Sequence, residues 1–130
     1  MYCSVQNIAD EIGEKLLAQL TDDVNGQIVA VPTVEHFIQI GTATINGYLR
    51  GRYKLPLEKE HIELRTACIN IVKYLLYQRR GKMQESVKEA YDGAINLLQQ
   101  IQSGAYLLDE QEAARPPFFL VSKRNGVYPS

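Results

Sequence analysis

EKEHIELRTACINIVKYLLYQRR, residues 58–80, is apolar around too much of its circumference to lie flat on a surface. Leu64, Ala67, Cys68, Ile71 and Leu75 form one stripe at helical spacing, and Ile62, Ile69, Val72 and Leu76 form a second beside it. Two adjoining stripes require neighbours on more than one side, so the spacing predicts a central helix from about Glu58 to Arg80, ended by Gly81. A helix of that kind needs other helices around it, and the rest of the chain supplies them. The expected class is all-α, a small bundle of four to five helices.

Upstream, Ser4 is a good N-cap, and Val5, Ile8, Ile12, Leu16 and Leu20 share one helical face that Gly13 interrupts. Two short helices or one kinked helix, roughly 4–12 and 14–20, are expected there. Thr21–Gly26 reads as a turn. Pro32-Thr33 opens the next helix, whose face is Val34, Phe37, Ile38, Gly41, Ile45, Tyr48 and Leu49, with Gly51 in the position of a C′ glycine. Arg52–Leu57 is expected to run extended, because Leu55 precedes a proline. Downstream of Gly81, Ser86 and Glu89 have the spacing of a capping box, although the helix can begin earlier. Its face is Val87, Ala90, Tyr91, Ala94, Ile95, Leu98 and Ile101, closed by Gly104, with a short strand expected near residues 105–108. After Asp109 the helical period disappears. The expected organisation is therefore a helical domain over 1–109 and an extended C-terminal arm over 110–130.

With 130 residues, 45% hydrophobic and 22% charged, the chain suits one globular domain. A net charge of −1 gives no overall reason to bind nucleic acid or an acidic membrane surface. No charged-then-apolar leader opens the sequence and no apolar run approaches the ~18 residues a membrane span needs, so neither secretion nor a membrane is expected. Cys3 and Cys68 lack partners at metal-ligand spacing and suggest neither a zinc site nor a disulfide framework. Cys68 lies in an apolar stripe and reads as core, whereas Cys3 sits near a terminus and reads as free.

Candidate chemistry is sparse. Thr21, Asp23, Asn25 and Gly26 match the first positions of a calcium loop, but Pro32 stands where the bidentate acid belongs, so a turn is favoured. His36 lies beside Glu35, and His61 beside Glu60 and Glu63, yet no nucleophile or oxyanion donor is placed near either. Both read as solvated helix-surface histidines. Gly41, Gly47 and Gly51 follow no strand and make no phosphate-cradling loop. No enzyme, cofactor or metal site is expected.

Charge distribution says more than its sum: residues 1–49 carry −5, 50–88 carry +6 and 89–130 carry −2. Two basic groups stand out, Arg50-Arg52-Lys54 beside Tyr53 and Arg79-Arg80-Lys82 beside Tyr77. Bases interleaved with aromatics can grip phosphates, whereas cations at helix C-termini simply complement the dipole, and the latter is the favoured reading.

Ile45-Asn46-Gly47-Tyr48-Leu49-Arg50-Gly51-Arg52-Tyr53-Lys54-Leu55-Pro56-Leu57 resembles the I-x-G-Y-L-x-G-R-Y-x-L-P-L signature of a Mu-like phage and prophage family, that of phage Mu gene product thirty-six. Met1-Tyr2, Leu20-Thr21-Asp22, Val72–Tyr77 followed by Arg79, and Tyr91 through Gly104 extend the likeness to about residue 108. The resemblance implies a helical bundle of the head–tail connector type, a structural virion protein of a tailed phage or prophage. It implies a homo-oligomeric ring, a dodecamer, between the portal protein and a tail-side connector or tail terminator protein. DNA would pass through the lumen without sequence-specific binding, and localisation would be the virion neck after assembly in the host cytoplasm. The alternative is a small helical nucleic-acid-binding or regulatory phage protein.

Two expectations about assembly follow from the residues. Opposed charge suits a head-to-tail interface, with Arg50, Arg52 and Lys54 meeting Asp10, Glu11 or Asp22 of a neighbour. In the arm, Pro116-Pro117 limits the free chain, so that Phe118, Phe119, Leu120 and Val121, with Tyr128 as a second anchor, can dock on a neighbouring subunit or a tail protein.

Overall fold

Ser4 sets the first helix. Its hydroxyl accepts from the Asn7 amide at 3.1 Å while Asn7 Oδ1 accepts from the Ser4 amide at 2.9 Å, a reciprocal cap that starts α1 (Val5–Ile12). Gly13, at φ +86°, ends α1 and begins α2 (Glu14–Thr21), a conformation that favours glycine. The break resets the helical phase, so Leu17 rather than Leu16 enters the core together with Ile8 and Leu20. Three helices of nineteen residues follow: α3 (Val31–Leu49), α4 (Ile62–Arg80) and α5 (Glu85–Ser103). The computed structural model describes residues 1–113, and among these the architecture is an all-α bundle of five helices.

α4 touches each of the other four helices, as its two stripes require. Leu64, Ala67, Cys68, Ile71, Val72 and Leu76 are buried, whereas Leu75 and Ile69 are only partly covered. Ile62, expected in the second stripe, is 71% exposed because the helix begins with it and the neighbours do not reach that turn. The start of α4 thus lies four residues later than Glu58. α3 presents Val34, Ile38, Gly41, Ile45 and Leu49 inward, and Gly41 brings its backbone close to α4, where an added Cβ would lie 3.4 Å from Cys68 Sγ. α5 buries Val87, Ala94, Leu98 and Ile101, and Tyr91 stacks on Tyr74 of α4 with ring centroids 4.0 Å apart.

Several local expectations change. α5 starts at Glu85 with Gln84 as N-cap and no side-chain cap bond, so Ser86 and Glu89 lie inside the helix and form no capping box. Gly51 does not take a left-handed φ; the turn after α3 closes through Arg52 and Tyr53 amides donating to the Leu49 carbonyl at 2.9 Å. Residues 52–57 are not one extended run: only Tyr53 pairs, and Leu55-Pro56 form a bend with a cis peptide. No strand forms near residues 105–108. Gly104 at φ +88° turns the chain, the Tyr106 amide donates back to the Gln100 carbonyl, and Leu108 is consumed by the core instead. The one extended pairing among the described residues is an antiparallel bridge between Tyr53 and Glu112.

Candidate functional site

The signature segment 45–57 builds a corner where the end of α3, the end of α5 and residues 108–113 meet. Leu49 is fully buried and Tyr53 is 2% exposed, its hydroxyl accepting from the Leu108 amide at 2.9 Å. Arg52 holds the rest. Its Nε donates to the Gln102 carbonyl at 3.3 Å, its Nη1 meets Glu112 Oε2 at 3.1 Å, and its own carbonyl accepts from the Ala113 amide at 2.9 Å. Gly104 lies under the guanidinium so closely that a Cβ there would stand 3.0 Å from Nη2. Gly47 and Gly51 have no such neighbour, and nothing in the chain's own packing requires glycine at either position.

Beside this corner, the N-terminal residues, α3 and the 55–61 segment line an open cavity of about 1060 Å³. Tyr2 closes one wall, its hydroxyl donating to Asn46 Oδ1. Burial raises the Tyr2 pKa. Thr42 contributes a buried hydroxyl that has no hydrogen-bond partner among the described residues. Cys3, also in this wall, is buried, and its Sγ lies 2.9 Å from Cys68 Sγ across the boundary between the N-terminal segment and α4. The Cys3 S–H donates to Cys68, which pulls the Cys68 pKa down while holding the Cys3 proton on.

His61 is not a surface histidine. Its side chain is 5% exposed and its Nε2 lies 2.9 Å from Glu110 Oε2. Glu110 also accepts from the Glu58 and Lys59 amides at 3.3 and 2.8 Å, so one carboxylate ties the 58–61 segment down. The His61 contact first, and the amides with it, hold its pKa below the usual carboxylate range. His36 is exposed on α3 with its ring against Phe37.

The turn after α2 is structural. Asp22 accepts from the amides of Val24, Gln27 and Ile28, and Thr21 is buried, donating to the Leu17 carbonyl and accepting from the Ala30 amide. Asp23 is claimed by Arg79 at 3.0 Å and Arg80 at 2.6 Å, and both arginines also reach the Leu20 carbonyl at the end of α2. Arg79 and Arg80 therefore lie in the last turn of α4, as expected, and also complement the C-terminus of α2. Among the described residues no group of three or more His, Cys, Asp or Glu is arranged to hold a metal, and no helix is long and apolar enough to cross a membrane.

Of the residues expected at a subunit interface, Arg52 pairs with Glu112 within the chain, Glu11 meets Lys73 at 3.6 Å, Asp22 holds its own loop, and Asp10 accepts from Gln6 at 2.7 Å. Arg50 and Lys54 are exposed. Pro116, Pro117, Phe118, Phe119, Leu120, Val121 and Tyr128 lie outside the described residues. The roles of Glu110, Glu112 and the Cys3–Cys68 contact escaped sequence reasoning, because each depends on partners about fifty residues or more away that no local pattern encodes.

Fold and site together define a small all-helical bundle in which Arg52, His61, Arg79 and Glu110 join one segment of the chain to another. The sequence profile described as "Bacteriophage Mu, Gp36" matches residues 2–118. The "Mu-like prophage FluMu protein gp36" of Haemophilus influenzae is 28% identical over 108 residues, which cover 83% of this chain and 75% of the relative. The chain belongs to the bacteriophage Mu Gp36 family.

Proposed function

We propose that this phage protein is a head–tail connector subunit that assembles into a ring below the portal and joins the filled head to the tail without catalysing a reaction. The observation that carries the reading is the use made of the signature segment. Leu49, Tyr53 and Arg52 brace a corner that joins α3, α5 and residues 108–113, while Asn46, Arg50 and residues 55–57 of the same segment line the neighbouring pocket, and that bracing supports a structural role. The likeness to Mu-like proteins over nearly the whole chain supports a phage role. Val24, Ile28, Val31 and Leu107 are exposed apolar residues suited to contacts between subunits. The polarised charge then sets orientation, with Arg50 and Lys54 offered to an acidic side of the neighbour. Portal and tail-side proteins are the expected partners, and the neck of the virion the expected location.

The nucleic-acid reading loses ground because Arg52, Arg79 and Arg80 are engaged within the chain. Removing the gene from a Mu-like phage tests the proposal. Filled heads and separate finished tails should accumulate by electron microscopy, and the protein supplied in trans should restore joining. Intact infectious particles formed without it would sink the reading. DNA binding that weakens steeply between 50 and 200 mM salt, at about tenfold or more, would favour the alternative.

A further inference from the structure

Cys3 and Cys68 sit 65 positions apart in sequence, yet their sulfurs are 2.9 Å apart and both are buried. Cys68 is fixed in the middle of α4, fully covered, while Cys3 precedes the first helix and stands at 7% exposure in the wall of the 1060 Å³ cavity. One sulfur thus lies inside a helix and the other in the non-helical segment that precedes α1. A disulfide needs its sulfurs about 2.05 Å apart, and a small movement of the chain before Ser4 supplies the difference. We propose that Cys3 and Cys68 are a redox site: a disulfide-class oxidant such as oxidised glutathione converts the two thiols into an intramolecular disulfide that pins the N-terminal segment to the central helix.

The step balances as two exchanges. Cys3, reached from the pocket, first gives up the proton that the Cys68 contact holds on it and then attacks one sulfur of the oxidant; the oxidant's S–S bond breaks, a mixed disulfide forms on Cys3, and one glutathione thiolate leaves and takes up that proton. Cys68 then gives up its proton and attacks the Cys3 sulfur, forming the Cys3–Cys68 bond and expelling the second glutathione. The protein loses two electrons and two protons, and the oxidant is reduced to two thiols. Cys68 is suited to the second exchange because its sulfur already lies 2.9 Å from that of Cys3. The sites lie in different elements, so the bond closes a long loop, the arrangement that restricts the unfolded chain most.

A reducing cytoplasm keeps the pair as thiols and an oxidising medium outside the cell favours the bond. That distinction matters to a virion protein, which is assembled in one and released into the other; this clause rests on the proposed function, whereas the thiol chemistry does not.

The test uses the full chain, reduced and then incubated with oxidised glutathione under native conditions. The expected results are loss of two hydrogen masses, a non-reducing tryptic peptide joining residues 1–15 to 66–73, and a melting temperature raised by about 10 °C and returned by dithiothreitol. Cys3→Ser, at the less constrained site, should show no rise. A native protein that keeps both thiols, or that stops at a stable glutathione adduct on Cys3, overturns the proposal. So does a cross-link with no change in melting temperature. None of these outcomes bears on whether the protein joins heads to tails.

Discussion

Without Arg52, the turn after α3, the last turn of α5 and residues 112–113 lose the group they share. Arg52→Ala should cost about 1–2 kcal/mol in urea denaturation, since the lost bonds to Gln102 and Glu112 are only partly exposed to water. Arg52→Lys should recover little of it, because a single ammonium cannot reach both partners with the fixed fork of a guanidinium. Glu110 makes a second prediction, this one about pH. Its pKa is depressed in the folded state, so its stabilisation is present above the unfolded value of about 4.3 and is lost as pH falls through the lower folded value. Asp22 and Asp23 are depressed likewise, by loop amides and by Arg79 and Arg80. The urea midpoint should therefore fall on acidification below about pH 4, and Glu110→Gln should make that fall shallower. A variant that follows the parent curve throughout would show that the carboxylate is not linked to folding.

Glycines separate two kinds of helical position. Gly47 lies exposed within α3 with nothing near its would-be Cβ, so Gly47→Ala should raise the stability of the isolated protein by about 0.5–1 kcal/mol in a thermal melt. Gly104→Ala should do the reverse, by at least about 1 kcal/mol, because a left-handed φ and the Arg52 guanidinium both oppose a side chain there. The faces of α3 and α5 were legible in the sequence because a single stripe at constant phase determines which side is buried. The face of α2 was not, since the Gly13 break rotates the second helix and exchanges Leu16 for Leu17. The same contrast holds at the corner. The signature could be seen in the sequence, but Gly51 as a cap, the extended run and the strand near 105–108 were inferred from local residue preferences, and long-range bonds from Arg52, Tyr53 and Glu110 override them.

Residues 110–113 belong energetically to the body of the molecule, even though the helical period ends before them. Truncation after Ala113 keeps the Glu110 and Glu112 bonds, and truncation after Asp109 removes both. The second should melt several degrees below the first, with circular dichroism showing helix retained in each at low temperature. The position of α4, touched by every other helix, has a different consequence for how the molecule opens. Amide protons in the middle of α4 should exchange with solvent deuterium only through global unfolding, at the full stability of the domain. Those of α1 and α2, two-turn helices separated by Gly13 and packed less extensively on α4 than α3 and α5 are, should exchange through a smaller opening that leaves α3, α4 and α5 assembled. The bundle would then consist of a three-helix foldon and a detachable N-terminal pair, with protection factors that divide at the loop of residues 22–30.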